Sequence, residues 1–174
     1  MKKLHLLRAH LINAVPALVN DPERLLTFVE EGSIEFRSGP NLTHEYQFTA
    51  QLVLTDFSAD LDTIMVPLLQ WLAEYQPDAD PTEAVSFEAE ILSHTSVDVA
   101  LRVKLTERVL AKVDCATGQI KVDHALPRFA SSTCPATHWQ LLIRDSEAQR
   151  GTPGDYTLAA EWGEAASGNK QHGE

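Results

Sequence analysis

Apolar and polar residues alternate from Tyr46 to Thr55. Tyr46, Phe48, Ala50, Leu52 and Leu54 fall on one parity, and Gln47, Thr49, Gln51, Val53 and Thr55 on the other. A repeat of two marks a strand with one buried face. After Asp56-Phe57-Ser58 the repeat changes: Leu61, Ile64, Met65, Leu68, Trp71, Leu72 and Tyr75 recur at helical spacing, which predicts a helix with one apolar side. Asp60 stands just ahead of that side and Asp62 in the first turn, where carboxylates suit a helix N-terminus. Pro67 falls inside, frees the carbonyl of Thr63 and should bend the axis. The apolar side runs through it unbroken, so one bent helix is expected, with Pro77 as its stop.

The repeat of two then returns. Val85, Phe87, Ala89 and Ile91 share a parity, with Glu88 and Glu90 on the other; His94-Thr95-Ser96 makes the connection. From Val97 one parity holds through Val99, Leu101, Val103, Leu105, Glu107, Val109, Ala111 and Val113. So long a strand exceeds the usual length and should bend or twist. Glu107 is its odd inward position. A turn over 114–118 and a closing strand over 119–123 complete a hairpin. From 44 to 122 the chain reads as a small enclosed sheet held against one helix.

Upstream, Leu4, Leu7, Leu11 and Val15 predict a helix over 4–14, and Pro16 either kinks it or opens a new turn. Asp21 as cap, Pro22 at the first helical position and Glu23 predict a short helix over 23–30, stopped near Gly32. A short strand over 33–37 and a turn at Ser38-Gly39-Pro40-Asn41 follow. Downstream of Ala125, Pro127, Ser131, Ser132, Thr133, Pro135 and Thr137 mark a loop. Residues 139–143 are a strand candidate, 150–155 a turn, 156–162 a final strand or ordered arm, and 165–174 disordered. The expected organisation is a single α+β domain over 1–124, with a mixed or antiparallel twisted sheet flanked by helices. A loop-rich C-terminal arm with short strands spans 125–164, and a disordered tail spans 165–174.

Composition narrows the classes. The chain has 174 residues, enough for one domain with a real core. No run reaches the length of a membrane span, so no membrane partner is expected. The opening Met-Lys-Lys-Leu-His-Leu-Leu has a faint signal-peptide flavour, but Arg8, His10, Asn13 and Asn20 break it, and a helix with a wet face fits better. A net charge of −11 repels nucleic acid backbones. Cys115 and Cys134 are too few for a disulfide framework or a zinc site; free thiols are the simple reading, and a single loop-to-loop disulfide the alternative.

The outward parity of the long strand carries Asp98, Arg102, Lys104, Arg108 and Lys112, a basic face in an acidic protein. Two readings stand: cross-strand pairing with Glu88 and Glu90, or an interface with an acidic partner or a second copy. A nucleic-acid surface is disfavoured, because no aromatic residues interleave with the charges. Trp139, Leu141 and Ile143 are too apolar for a free tail. They need either their own domain or the edge of a neighbour.

Candidate chemistry is sparse. Asp56, Asp60 and Asp62 lack calcium-loop spacing and read more simply as capping residues. The seven histidines show no ligand spacing, and no glycine-rich phosphate loop, Gly-x-Ser-x-Gly or Cys-x-x-Cys is present. No catalytic residue, metal or cofactor is expected. An enzyme would have to use Asp56, Asp60 and Glu107, with burial raising the pKa of Glu107.

Leu54-Thr55-Asp56-Phe57 with Asp60 and Asp62, then Val66-Pro67, Trp71-Leu72 and Gln76-Pro77-Asp78, resembles the pattern of the phage tail completion protein R family of contractile-tailed, P2-like phages. The likeness resumes at Ser96-x-Asp98 and Leu105-Thr106-Glu107-Arg108. Upstream, Asn20-x-Pro22, Phe28-Val29 and Gly32-Ser33-Ile34 match in order. It covers roughly residues 4 to 113, with Asp56, Phe57, Asp60, Pro67, Trp71, Pro77 and Glu107 as its structural motif. The resemblance implies a non-enzymatic role in tail assembly in a phage or prophage, and a fold like that of tail terminator proteins. Such proteins form rings, often hexameric, at the head-proximal end of the tail tube. Implied partners are the tail tube protein, the head–tail connector and other tail completion proteins, in the virion tail and, during assembly, in the host cytoplasm. An assembly chaperone absent from the finished tail is the alternative.

Overall fold

In the computed structural model the described residues are 1–37, 39, 41–93, 96–126, 134, 136–144 and 156–163. Helix α1 spans Lys2–Ala14 and a short α2 spans Pro16–Asn20, joined at an extended Val15. Proline has no N–H to give the preceding turn but fits the start of a new one. The chain therefore restarts at Pro16 rather than kinking.

Residues 23–30 do not form the expected helix. Pro22–Arg24 make a single 3-10 turn, and Leu25–Phe36 form strand β1. The run Leu25-Leu26-Thr27-Phe28-Val29 favours a pleated surface, and the neighbouring strand β2, His44–Phe57, supplies its ladder. Capping signals lost to tertiary pairing. Gly32 stops no helix: it lies in a bulge where the register slips between Glu30 and Ser33 and Glu31 takes φ +52°. The expected strand over 33–37 is the far half of β1.

Helix α3, Asp62–Tyr75, runs continuously through a buried Pro67. It ends at Gln76, whose φ of −140° suits a residue before proline. Strands β3, Val85–Ile91, β4, Val97–Asp114, and β5, Gln119–Ala125, follow. All pairings are antiparallel. The order is β1-β2-β4-β3, with β5 also on β4, so the α+β class holds with an antiparallel sheet.

One face of this sheet carries the core. Phe48, Ala50, Leu52 and Leu54 of β2 and Val99, Leu101, Val103 and Leu105 of β4 pack with Leu4, Leu7 and Leu11 of α1 and Ile64, Leu68, Trp71 and Leu72 of α3. Two helices and a flanking β1 thus replace the expected enclosed sheet with one helix. Among the described residues no helix lies over the other face.

Strands β6, His138–Arg144, and β7, Tyr156–Gly163, form a separate two-stranded sheet. Strand β7 touches α1, Ala160 is buried, and Trp162 Nε1 donates to Gln70 Oε1 of α3 at 2.7 Å. Cys115 and Cys134 are free and exposed. The expected connection at His94-Thr95, most of the loops over 125–138 and 144–155, part of the turn at Ser38 and Pro40, and the tail over 165–174 lie outside the described residues.

Candidate assembly surface

The sheet has a buried polar anchor where β4 passes under the start of α1. Parity alone turns Glu107 inward, opposite Tyr46 of β2, and its side chain is 0% exposed. A helix start leaves amide donors without partners, and this carboxylate takes two of them. The N–H of Lys2 donates to Oε1 at 3.0 Å and that of Lys3 to Oε2 at 2.7 Å. His124 of β5 bonds Oε1 from the other side. Burial pushes the carboxyl up. The Lys3 and Lys2 amides, the His124 bond and the positive chain terminus together hold it below its ordinary value.

The expected rise in the Glu107 pKa is therefore wrong in direction. Its acceptors are committed to a helix end. Asp56 stands ten residues along β2 from the position opposite Glu107, about 30 Å away. The amide of Asp56, at φ +53°, donates to Asp98 Oδ1 at 2.7 Å, and its carboxylate faces Arg24 at 3.6 Å. Asp60 accepts the Asp62 amide at 2.9 Å, a local clasp on the first turn of α3. Among the described residues no group of three His, Cys, Asp or Glu could hold a metal ion. Phe57, Pro67 and Trp71 are buried core, with Trp71 stacked on Tyr75, and Pro77 follows the end of α3.

Lys3 joins the anchor to α3. Its Nζ donates to Tyr75 O at 2.7 Å and to Gln76 Oε1 at 2.8 Å. Burial pulls the ammonium below its ordinary value, against the charges of Glu107, Glu45 and Asp78. Gln76 continues to Thr106 Oγ1 at 2.7 Å. The reason lies in the pairing: β3 covers β4 from Val97 to Val103 and β5 covers the same edge from Arg108 onward. Between them the edge would be open. Ala84 O accepts the Lys104 amide at 2.9 Å, and the Gln76 side chain occupies the rest. Nothing in the sequence repeat announces this gap.

The basic face divides into two parts. Arg102 bonds Glu88 at 3.0 Å and Glu30 at 3.3 Å, which raise its pKa, and Lys104 bonds Glu83 at 2.7 Å, which raises its own. Glu88 therefore pairs as the cross-strand reading expects, but Glu90 lies opposite Asp98, not opposite a base. Arg108 and Lys112 are exposed and have no ion-pair partner among the described residues. Lys112 lies directly across from Lys121. Sequence reasoning passed over Lys121, although its parity on the closing strand could have found it. It also passed over Leu26 and Phe28, both exposed on the helix-free side of β1.

Trp139, Leu141 and Ile143 lie on β6, half-buried, opposite Trp162, Ala160 and Thr157. Elsewhere, a groove of about 370 Å³ beside the β1 bulge is rimmed by Glu31, Gln47, Asp80, Glu83 and Lys104. Its one cation is already paired with Glu83.

The sequence matches the family model described as P2 phage tail completion protein R over residues 1–128. It is 38% identical over 122 residues to the tail completion protein R of Escherichia phage P2, covering 67% of this chain and 79% of that protein. No solved structure matches. Strands β6 and β7 lie beyond the matched residues.

Proposed function

Since the chain belongs to the P2 phage tail completion protein R family, we propose that it completes the tail as a ring of copies on the head-proximal end of the tail tube. Its role in tail assembly is structural. The finer reading concerns place and partners: the ring, of about six copies by analogy with terminators, meets the tube on one side and the connector or other completion proteins on the other. The supporting observation is the helix-free face of the sheet, where Arg108, across from Glu45, and Lys112, across from Lys121, make no ion pair among the described residues, nor does Lys121. Unpaired cations in an acidic protein fit an acidic counterpart on another molecule. The arm carrying Trp139, Leu141 and Ile143 would add a peripheral contact.

Immunogold electron microscopy of purified tails tests this. Label is expected at the head-proximal end of the tube. Absence of label there overturns the reading. Mass spectrometry of virions separates a retained component from an assembly chaperone that leaves.

A further inference from the structure

Strands β3 and β5 flank the same edge of β4, one toward each end. Among the described residues neither has a strand on its outer side. Open edges invite pairing unless guarded, and these two complement each other. On the helix-free face β5 sets Lys121 across from Lys112, while β3 sets Glu90 across from Asp98. Like charges directly opposite destabilise a sheet, so each pair is relieved by opposite charge brought alongside. On the core face both strands run past the helices. Ile120 and Val122 are more than half exposed on β5, as are Phe87 and Ile91 on β3, with Ile91 at 78%.

We propose that β5 of one copy adds to the outer edge of β3 in the next, continuing the sheet from subunit to subunit. With the faces kept in register, Lys112 and Lys121 approach Glu90 and Asp98, and the exposed apolar residues of the two strands meet on the other side. Pairing β3 with β3, or β5 with β5, would gather like charges instead. The contact thus joins unlike strands: returned within one pair of copies it closes a dimer, and passed on to a third copy it is heterologous and closes a ring when its rotation allows. The inference rests on the ring reading above and assigns the surface that would form it.

The test is zero-length carbodiimide coupling of lysine to carboxylate in a mixture of 14N- and 15N-labelled protein, free and on purified tails. Within one chain Lys112 and Asp98 lie about 45 Å apart along β4, out of reach of such a link. Peptides joining Lys112 or Lys121 to Glu90 or Asp98, with mixed labels, are expected. Lys112→Glu with Lys121→Glu should reduce the yield at least tenfold, and so should Glu90→Lys with Asp98→Lys. Mixing the two variants, or combining all four changes in one chain, should restore it. If a reversal fails to fold by circular dichroism, Glu90→Gln replaces it: Lys112, Lys121 and Asp98 stay reactive, and the yield of lysine links to Asp98 should still fall. No such links from native protein, free or on tails, overturns the proposal, as does a folded four-change variant that does not regain them. Protein on the tube end without these links removes this surface alone. Links without protein on the tube end remove the tail-capping reading.

Discussion

The backbone N–H of Lys3 meets Glu107 Oε2 at 2.7 Å while its Nζ meets Tyr75 O at 2.7 Å. One residue thus fastens the start of α1 to β4 and to the end of α3. The helix layer is held on the sheet by a polar joint as well as by its leucines.

Glu107→Ala should cost about 3 kcal/mol or more, because two helix amides and an imidazole lose a buried acceptor. Glu107→Gln keeps one acceptor and should cost less. Urea unfolding measures both. An Ala variant as stable as the parent would show the joint to be dispensable.

The same carboxylate predicts an acid dependence. Its folded pKa lies below the ordinary 4.5, so the unfolded chain binds more protons between the two values. Its contribution is complete above the ordinary value and is lost as pH falls through the folded one. Unfolding free energy against pH should slope upward across that window, and Glu107→Gln should flatten the slope. Equal slopes would assign the acid sensitivity to other carboxylates.

Arg102 and Arg108 should separate in mutagenesis. Arg102→Glu places a third carboxylate beside Glu30 and Glu88 and should lower the melting temperature. Arg108 has no ion pair to lose, but it lies across from Glu45, so a charge reversal there would set like charges opposite each other; the neutral Arg108→Gln should melt like the parent yet impair tail completion. Complementation by Arg108→Gln at the parental level would exclude that residue from the assembly surface.

Deleting residues 136–174 should leave a cooperative unfolding transition, since the main buried cluster contains no residue beyond Leu105. Gln70 loses its bond from Trp162, and α1 loses the cover of β7. Tail completion should fail if β6 and β7 carry a contact. Collapse of the whole domain would make the hairpin ordinary core.

The strands with a strict repeat of two were legible from sequence: β2 and β4 bury most of the residues their parity assigns, Val113 at the far end of β4 being exposed, and Glu107 faces inward as expected. The helix α3 was legible through Pro67, because its apolar side never breaks. Strand β1 was not. Asp21-Pro22-Glu23 is a sound local helix start, and only the distant partner β2 turns the following residues into a strand. The Glu107 joint was half legible. Parity gives its burial, but the donors come from Lys2 and Lys3, more than a hundred positions away, and they reverse the expected pKa shift.

That separation has a consequence for synthesis. Lys3 leaves the ribosome 104 residues before Glu107. At translation rates of roughly 5–20 residues per second, the interval is about 5–20 s. Until its last residues Leu4, Leu7 and Leu11 have neither their anchor nor the full set of core residues that β4 supplies, Val99, Leu101, Val103 and Leu105. The first helix made is thus among the last to be fixed. A nascent chain in a crowded cell carries an uncovered leucine stripe until its longest strand has emerged, so the yield of assembled protein depends on what shelters that stripe.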